Sequence, residues 1–307
     1  MRFSVGGCVE NTDAGSPRSP PKMHVGAVAP STSVAGTPTG GGRGVYRPTA
    51  PVAAMETVDH DGRTTAYRAT DFGDGPRVCY VHGAGGSHEV WVRQYGDREG
   101  PPAAAVDLSG HGDSDDVETE PGTETLSAYA DDVVAVCEAT GASVVCGHSM
   151  GGAVALWVAL ERALDLEALV LAGSGAKLSV DEGFLESLDR GFEAAVASLH
   201  VPDVLFHDPD DELTDVSERG LLATGRAVTR RDFHTCDAFD VRGRLAAVDA
   251  PALALCGEYD PMTPPRFHKY LAAELPDCEC VELSAAAHMA MLERPAAFND
   301  AVRSFLF

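Results

Sequence analysis

From Glu56 onward, short runs of consecutive apolar residues alternate with longer stretches in which apolar positions recur every three to four residues. The short runs and their neighbours predict strands over residues 64–69, 77–81, 103–106, 143–146, 166–172, 252–256 and 280–283. The longer stretches predict helices. Leu126, Tyr129, Val133, Val136 and Cys137 share one face of a helix over 126–139, and Ala153, Leu156, Trp157 and Leu160 share one over 151–162. Strands alternating with helices predict an α/β protein, with a mostly parallel central sheet covered by helices on both faces.

Residues 176–247 interrupt that alternation. Phe184, Leu188, Phe192, Ala195 and Leu199 fall at helical spacing and predict one amphipathic helix, with further helical pieces around 221–228 and 235–245. A helical insertion between two sheet strands is expected to form a lid over the strand ends. The expected plan is a core of residues 55–175 and 248–307 with a lid over 176–247. Residues 1–54, rich in Gly, Pro, Ser, Thr and Ala, show no periodicity and bury too little apolar surface to offset ordering entropy. They read either as a disordered N-terminal extension or as sequence upstream of a true start at Met55 or Met23. Met55 stands directly before the first strand-like segment, which favours the second reading.

Composition changes this picture mainly through charge. The chain has 307 residues, 47 acidic against 23 basic, for a formal net charge of −24. Only Lys22, Lys177 and Lys269 supply lysine. Such a surface repels nucleic acid and anionic lipid, so neither is an expected partner. The acidity is spread along the chain, as in proteins of salt-accumulating organisms, where screening offsets self-repulsion. No apolar run reaches the roughly 18 residues of a membrane span, and the first ten residues lack a secretory h-region. A cytoplasmic protein is expected, its oligomeric state left open. Of the eight cysteines, most sit inside apolar runs and read as reduced, structural thiols, and no metal-ligand spacing occurs. No metal or other cofactor is expected.

Candidate chemistry begins at Gly147-His148-Ser149-Met150-Gly151, a G-x-S-x-G sequence that follows an apolar strand and opens a helix. A serine hydroxyl needs a neighbouring base to take its proton. In chain order nucleophile, acid, histidine, the base is His288, which follows the last strand on the small-residue loop Ser284-Ala285-Ala286-Ala287. His200, His207 and His234 fall in the expected lid, and His268 on an expected surface helix. The acid is Asp260, in the turn after strand 252–256, with Glu258 as its nearest rival. The oxyanion donors are the Met150 N–H, next after the nucleophile, and the Ala84 N–H in the glycine-rich loop His82-Gly83-Ala84-Gly85-Gly86. That loop fits no nucleotide-binding pattern. His82 and His111 are read as local hydrogen-bonders and His148 as a packing residue.

Together HGAGG (82–86), DLSGHGDS (107–114), GHSMGG (147–152), GEYDPMTPP (257–265) and AAHMAMLERP (286–295) resemble the lid-bearing α/β-hydrolase superfamily, in its order and spacing. The resemblance implies a Ser149–His288–Asp260 triad, an oxyanion hole at Ala84 and Met150, and esterase- or lactonase-like activity. Members with an aspartate nucleophile are disfavoured by Ser149. The expected reaction is hydrolysis of a small carboxylic ester or lactone through an acyl-enzyme, without cofactor. Phe184, Leu188, Phe233 and Phe239 are candidates for the acyl pocket. Carbon–carbon bond hydrolysis, cofactor-free perhydrolysis and ligand reception on the same fold are the alternatives.

Overall fold

The computed structural model describes residues 54–307; the expected N-terminal extension lies outside the described residues, apart from Ala54. The sheet begins with a hairpin, β1 (Glu56–His60) and β2 (Arg63–Thr70), joined by Asp61 and Gly62, both at positive φ. Two such residues give the turn that matches the natural strand twist. β1 was absent from the expected strands because E-T-V-D-H is largely solvent-facing and carries no apolar run.

Six further strands follow: β3 (Val78–Val81), β4 (Ala103–Val106), β5 (Val144–His148), β6 (Ala168–Ala172), β7 (Ala252–Gly257) and β8 (Cys278–Leu283). Their order in the eight-stranded sheet is β1-β2-β4-β3-β5-β6-β7-β8. β2 is antiparallel to both neighbours and the remaining pairs are parallel. β3 to β7 are buried at every residue, the signature of strands covered on both faces. Alternation sorts their side chains into two apolar layers. Cys79, Val81 and Val145 face one; Val78, Tyr80 and Cys146 face the other.

The helices, in chain order, are α1 (Val92–Tyr95), α2 (Thr123–Thr140), α3 (Met150–Glu161), α4 (Glu182–Arg190), α5 (Phe192–Leu199), α6 (Asp211–Thr224), α7 (Arg226–Ala238), α8 (Pro265–Glu274), α9 (Ala290–Glu293) and α10 (Pro295–Leu306). α2, α3 and α8 contribute to the first layer, and α10 and residues around Trp91 to the second. The single helix expected over 184–199 is two, α4 and α5, because Gly191 turns extended (φ −166) and breaks the run. The piece expected over 221–228 is likewise split at Gly225, whose φ of 83 ends α6 and restarts the chain as α7. The piece expected over 235–245 stops at Ala238. Beyond it the backbone pairs with the start of the insertion, Leu178 N–H donating to Phe239 O (3.3 Å) and Val241 N–H to Ala176 O (2.8 Å). This contact closes the neck of the insertion between β6 and β7.

The chain places β4 on one side of β3 and β5 on the other. Loops leaving the carboxyl ends of β3 and β5 therefore diverge and open a crevice between them. Val81 pairs with Gly147 and Gly257 with Leu283, so the segments after β3, β5, β7 and β8 leave from one edge of the sheet.

Candidate active site

Ser149 joins β5 directly to α3 at φ 52, ψ −114. For a residue with a Cβ that conformation costs about 1–3 kcal/mol and persists only where the surroundings hold it. They hold it here by several bonds. The Ser149 N–H donates to Ala172 O (2.9 Å), and its carbonyl accepts from Gly152 N–H (3.0 Å) and Ser174 Oγ (2.8 Å). Glycine at 151 lets α3 start so close to β3: a Cβ there would fall on the Val81 carbonyl oxygen and 2.6 Å from that of His82.

Ser174 is held in turn by His268 Nε2, which accepts its N–H at 3.0 Å. The expected surface position of His268 is corrected: it is fully buried, on the face of α8 that also carries Leu271. Burial lowers its pKa to about 4, which keeps the ring a neutral acceptor.

Asp260 follows β7 and His288 follows β8, and His288 Nδ1 lies 2.9 Å from Asp260 Oδ2. Both side chains are almost wholly buried. The Asp260 carboxylate also accepts the N–H groups of Met262 and Thr263 (2.9 Å each) and the Thr263 hydroxyl (2.7 Å). Burial opposes its ionisation, but the His288 ring and the Thr263 donors outweigh that and hold the carboxyl well below the usual range. With an ionised carboxylate at Nδ1, that nitrogen carries the proton and Nε2 is left as the basic one. Glu258 instead accepts the Ala285 N–H (3.2 Å).

His148 does more than pack. Its Nε2 lies 3.1 Å from the His288 carbonyl oxygen, so the residue beside Ser149 anchors the loop of the histidine. Burial, with the neighbouring His288 adding to it, lowers the His148 pKa to about 3; the ring is neutral. Glu293 restrains the same loop from the other side. Its carboxylate accepts Ala287 N–H (2.7 Å) together with His207 N–H (2.7 Å) and Asp208 N–H (3.1 Å). Thr263, Ser174, His148 and Glu293 all escaped the sequence reading as supports. Only Thr263 left a signal, standing three residues after an Asp that favours turns.

The loop after β3 lies against the elbow: a Cβ on Gly83 would sit 3.2 Å from the Ser149 Cβ. The Gly83 carbonyl accepts Gly86 N–H (3.1 Å) and His82 Nδ1–H (2.8 Å). In a trans peptide the Ala84 N–H then points away from those partners. Met150 is the first residue of α3, where the N–H has no acceptor within the helix and the helix end is electropositive. Of the expected pocket residues, Phe184 and Phe233 meet edge to face with centroids 4.9 Å apart. They pack in one apolar layer with Leu188. Phe239 is not brought to them. It packs in the opposite layer with Cys236 and Leu245, because the chain after Ala238 turns back to the neck of the insertion.

Among the described residues no group of three or more His, Cys, Asp or Glu is placed to hold a metal ion. Nor is any helix there long and apolar enough to cross a membrane.

Comparison with known proteins agrees with this fold. The profile of the alpha/beta hydrolase family matches residues 80–301. 3-Oxoadipate enol-lactonase 1 of Acinetobacter baylyi is 25 % identical over 266 residues, covering 83 % of this chain and 97 % of the lactonase. The pimeloyl-[acyl-carrier protein] methyl ester esterase of Neisseria meningitidis is 30 % identical over 223 residues, 67 % of this chain and 82 % of the esterase. Among solved structures, a thermophilic esterase superposes with a TM-score of 0.72 at 31 % identity, over 82 % of this chain and 97 % of its own. The chain belongs to the alpha/beta hydrolase family. It is an enzyme, a hydrolase.

Proposed function

We propose that the protein is a serine hydrolase acting on ester bonds, which cleaves a small carboxylic ester or lactone through an acyl-enzyme on Ser149. The observation that carries this reading is the buried Asp260–His288 pair at 2.9 Å, on the sheet edge where the strained Ser149 elbow also lies. The named relatives, an enol-lactonase and a methyl ester esterase, point to the same bond type.

In the proposed cycle Ser149 Oγ attacks the carbonyl carbon while His288 Nε2 takes its proton. Asp260 holds the imidazole in the tautomer with Nδ1 protonated and stabilises the imidazolium that forms. The tetrahedral oxyanion rests on the Ala84 and Met150 N–H groups. His288 then gives its proton to the leaving alcohol oxygen, or to the ring oxygen of a lactone, as the carbon–oxygen bond breaks. A water molecule, deprotonated by His288, attacks the acyl-enzyme, and the proton returns to Ser149 as the acid leaves. The helical insertion serves as the lid, with Phe184 and Phe233 offering apolar surface to the acyl chain; Leu188, expected beside them, is fully buried and packs within the same layer.

The test compares wild type with Ser149→Ala for fluorophosphonate labelling and for hydrolysis of short and medium p-nitrophenyl acyl esters. Labelling and turnover should both vanish in the variant. Turnover that persists in Ser149→Ala would remove the serine from the mechanism, and folded wild-type protein that is never labelled would overturn the reading.

A further inference from the structure

Gly85 follows Ala84, and both of its peptide groups are held by the helical insertion. Its N–H donates to Asp232 Oδ2 on α7 at 2.8 Å. Its carbonyl accepts from the hydroxyl of Thr224, the last residue of α6, also at 2.8 Å. The break at Gly225 is what turns the end of one helix and the body of the next onto the same glycine. The insertion presses close there: a Cβ on Gly85 would lie 2.6 Å from Leu221 Cδ2 and 3.1 Å from Thr229 Oγ1.

Asp232 is fully buried, and a buried carboxylate beside an oxyanion site would oppose the developing charge unless it were neutralised. It is. His111 Nε2 lies 2.8 Å from Asp232 Oδ2, and the Tyr129 hydroxyl donates to Oδ1 at 2.6 Å. His111 Nδ1 faces only acceptors, Ser109 O at 3.1 Å and Leu108 O at 3.3 Å. With acceptors at both nitrogens, the ring satisfies them by carrying both protons, as an imidazolium. Arg231 adds positive charge nearby through the Tyr129 hydroxyl (3.3 Å).

The bonds close a ring around Ala84. Gly83 O accepts from His82 Nδ1–H, His82 Nε2 accepts Leu108 N–H (3.1 Å), His111 spans the 108–109 carbonyls and Asp232, and Asp232 takes Gly85 N–H. The peptide before Ala84 is thus held from the core, and the peptide after it from the insertion.

We propose that Asp232 and Thr224 are positioning residues of the oxyanion hole: the core holds the peptide that carries the Ala84 N–H, and the helical insertion fixes the chain directly after it by holding Gly85 at both its N–H and its carbonyl. The insertion then covers the substrate and completes the catalytic pocket in one placement. This rests on the serine-hydrolase reading above.

The test uses the full chain and the variants Thr224→Val, Thr224→Ser and Asp232→Asn. Its readouts are steady-state kinetics on p-nitrophenyl butyrate, binding of an aryl trifluoromethyl ketone whose serine adduct is an oxyanion, and melting temperature. Removing an oxyanion donor outright costs about a hundredfold or more in kcat; loosening its support should cost less. Thr224→Val should lower kcat and the ketone affinity about tenfold each, with KM little changed and melting preserved. Thr224→Ser, which keeps the hydroxyl, should restore both. Asp232→Asn keeps an acceptor for Gly85 but loses the pairing with His111, and should show the same split of kcat from KM. Wild-type kcat and ketone affinity in Thr224→Val would overturn the positioning role, as would a loss that serine does not rescue. Wild-type enzyme that neither labels with fluorophosphonate nor turns over ester would instead overturn the hydrolase reading, and the oxyanion role with it.

Discussion

At Asp260 one carboxylate gathers four donors, counting His288, and its replacement separates orientation from folding. Asp260→Asn keeps Oδ1 as acceptor for the Met262 and Thr263 N–H groups but presents an amide where His288 Nδ1–H and the Thr263 hydroxyl need an acceptor. Turnover should fall by about 10⁴ through the wrong imidazole tautomer, with circular dichroism and melting close to wild type. Near-normal turnover would transfer the role to Glu258. Ser149 offers the complementary case, a strained residue at the position proposed for the nucleophile. Ser149→Gly relieves the φ of 52 and should raise the melting temperature by about 2–4 °C while abolishing labelling, since about 1 kcal/mol shifts melting by that much in a domain of this size. Unchanged or lower melting would show that the elbow is not strained.

α3 crosses the end of β3 closely, at Gly151. Gly151→Ala puts a methyl group on the Val81 carbonyl and should push the helix from the sheet. Overpacking of this kind costs about 1–3 kcal/mol, so melting should drop by several degrees and labelling should weaken. A variant with normal melting would mean that the crossing is slack. The buried strands were legible because apolar runs flanked by turn residues leave little alternative: 103–106 was expected and Ala103–Val106 is found. β1 was not, because an edge strand takes its place from pairing with β2 rather than from its own apolar pattern. In the insertion the apolar spacing reported helix correctly, yet its phase runs through Gly191, and only the packing of α4 against its neighbours shows that the chain turns there.

For the whole molecule, buried neutral histidines set the response to acid. His82, His148 and His268 have pKa values lowered to about 4, 3 and 4, chiefly by burial. The unfolded chain titrates them near the ordinary value of about 6.5, so below that pH it binds more protons than the folded one. Their contribution is full above about pH 6.5 and is lost as pH falls towards 4, at up to about 1.4 kcal/mol per pH unit for each. Asp260, with its pKa depressed, adds a loss in the same direction at lower pH. His111 runs oppositely. Burial lowers its pKa but Asp232 raises it further, so its contribution is present below about pH 6.5 and fades as pH rises through its folded value. His60, raised chiefly by its hydrogen bond to Asp132, acts as His111 does. Three against two keeps the sign: melting measured at pH 7, 6 and 5 should fall steadily. A flat profile would mean that these rings are already protonated in the fold. The net charge of −24 predicts a second bulk response. Melting should rise on going from about 0.1 M to molar potassium chloride as self-repulsion is screened, and indifference to salt would show the acidic surface to be unstrained.

The candidate nucleophile, acid and base could be read from the chain because each requires a local pattern. A serine elbow needs glycines within two residues, and the acid and histidine need turns directly after apolar strands. All of that is written in neighbouring letters. The supports could not be read in this way. His148 on the His288 carbonyl, Ser174 on the Ser149 carbonyl, and Asp232 on Gly85 across 147 positions are pairings between distant segments. Nothing in an Arg-Arg-Asp-Phe stretch of an amphipathic helix tells a solvated carboxylate from one sealed against a histidine. The difference arises only when α7 is laid against α2 and the loop after β3, because it is burial that obliges each polar group to find a partner and thereby assigns it a role.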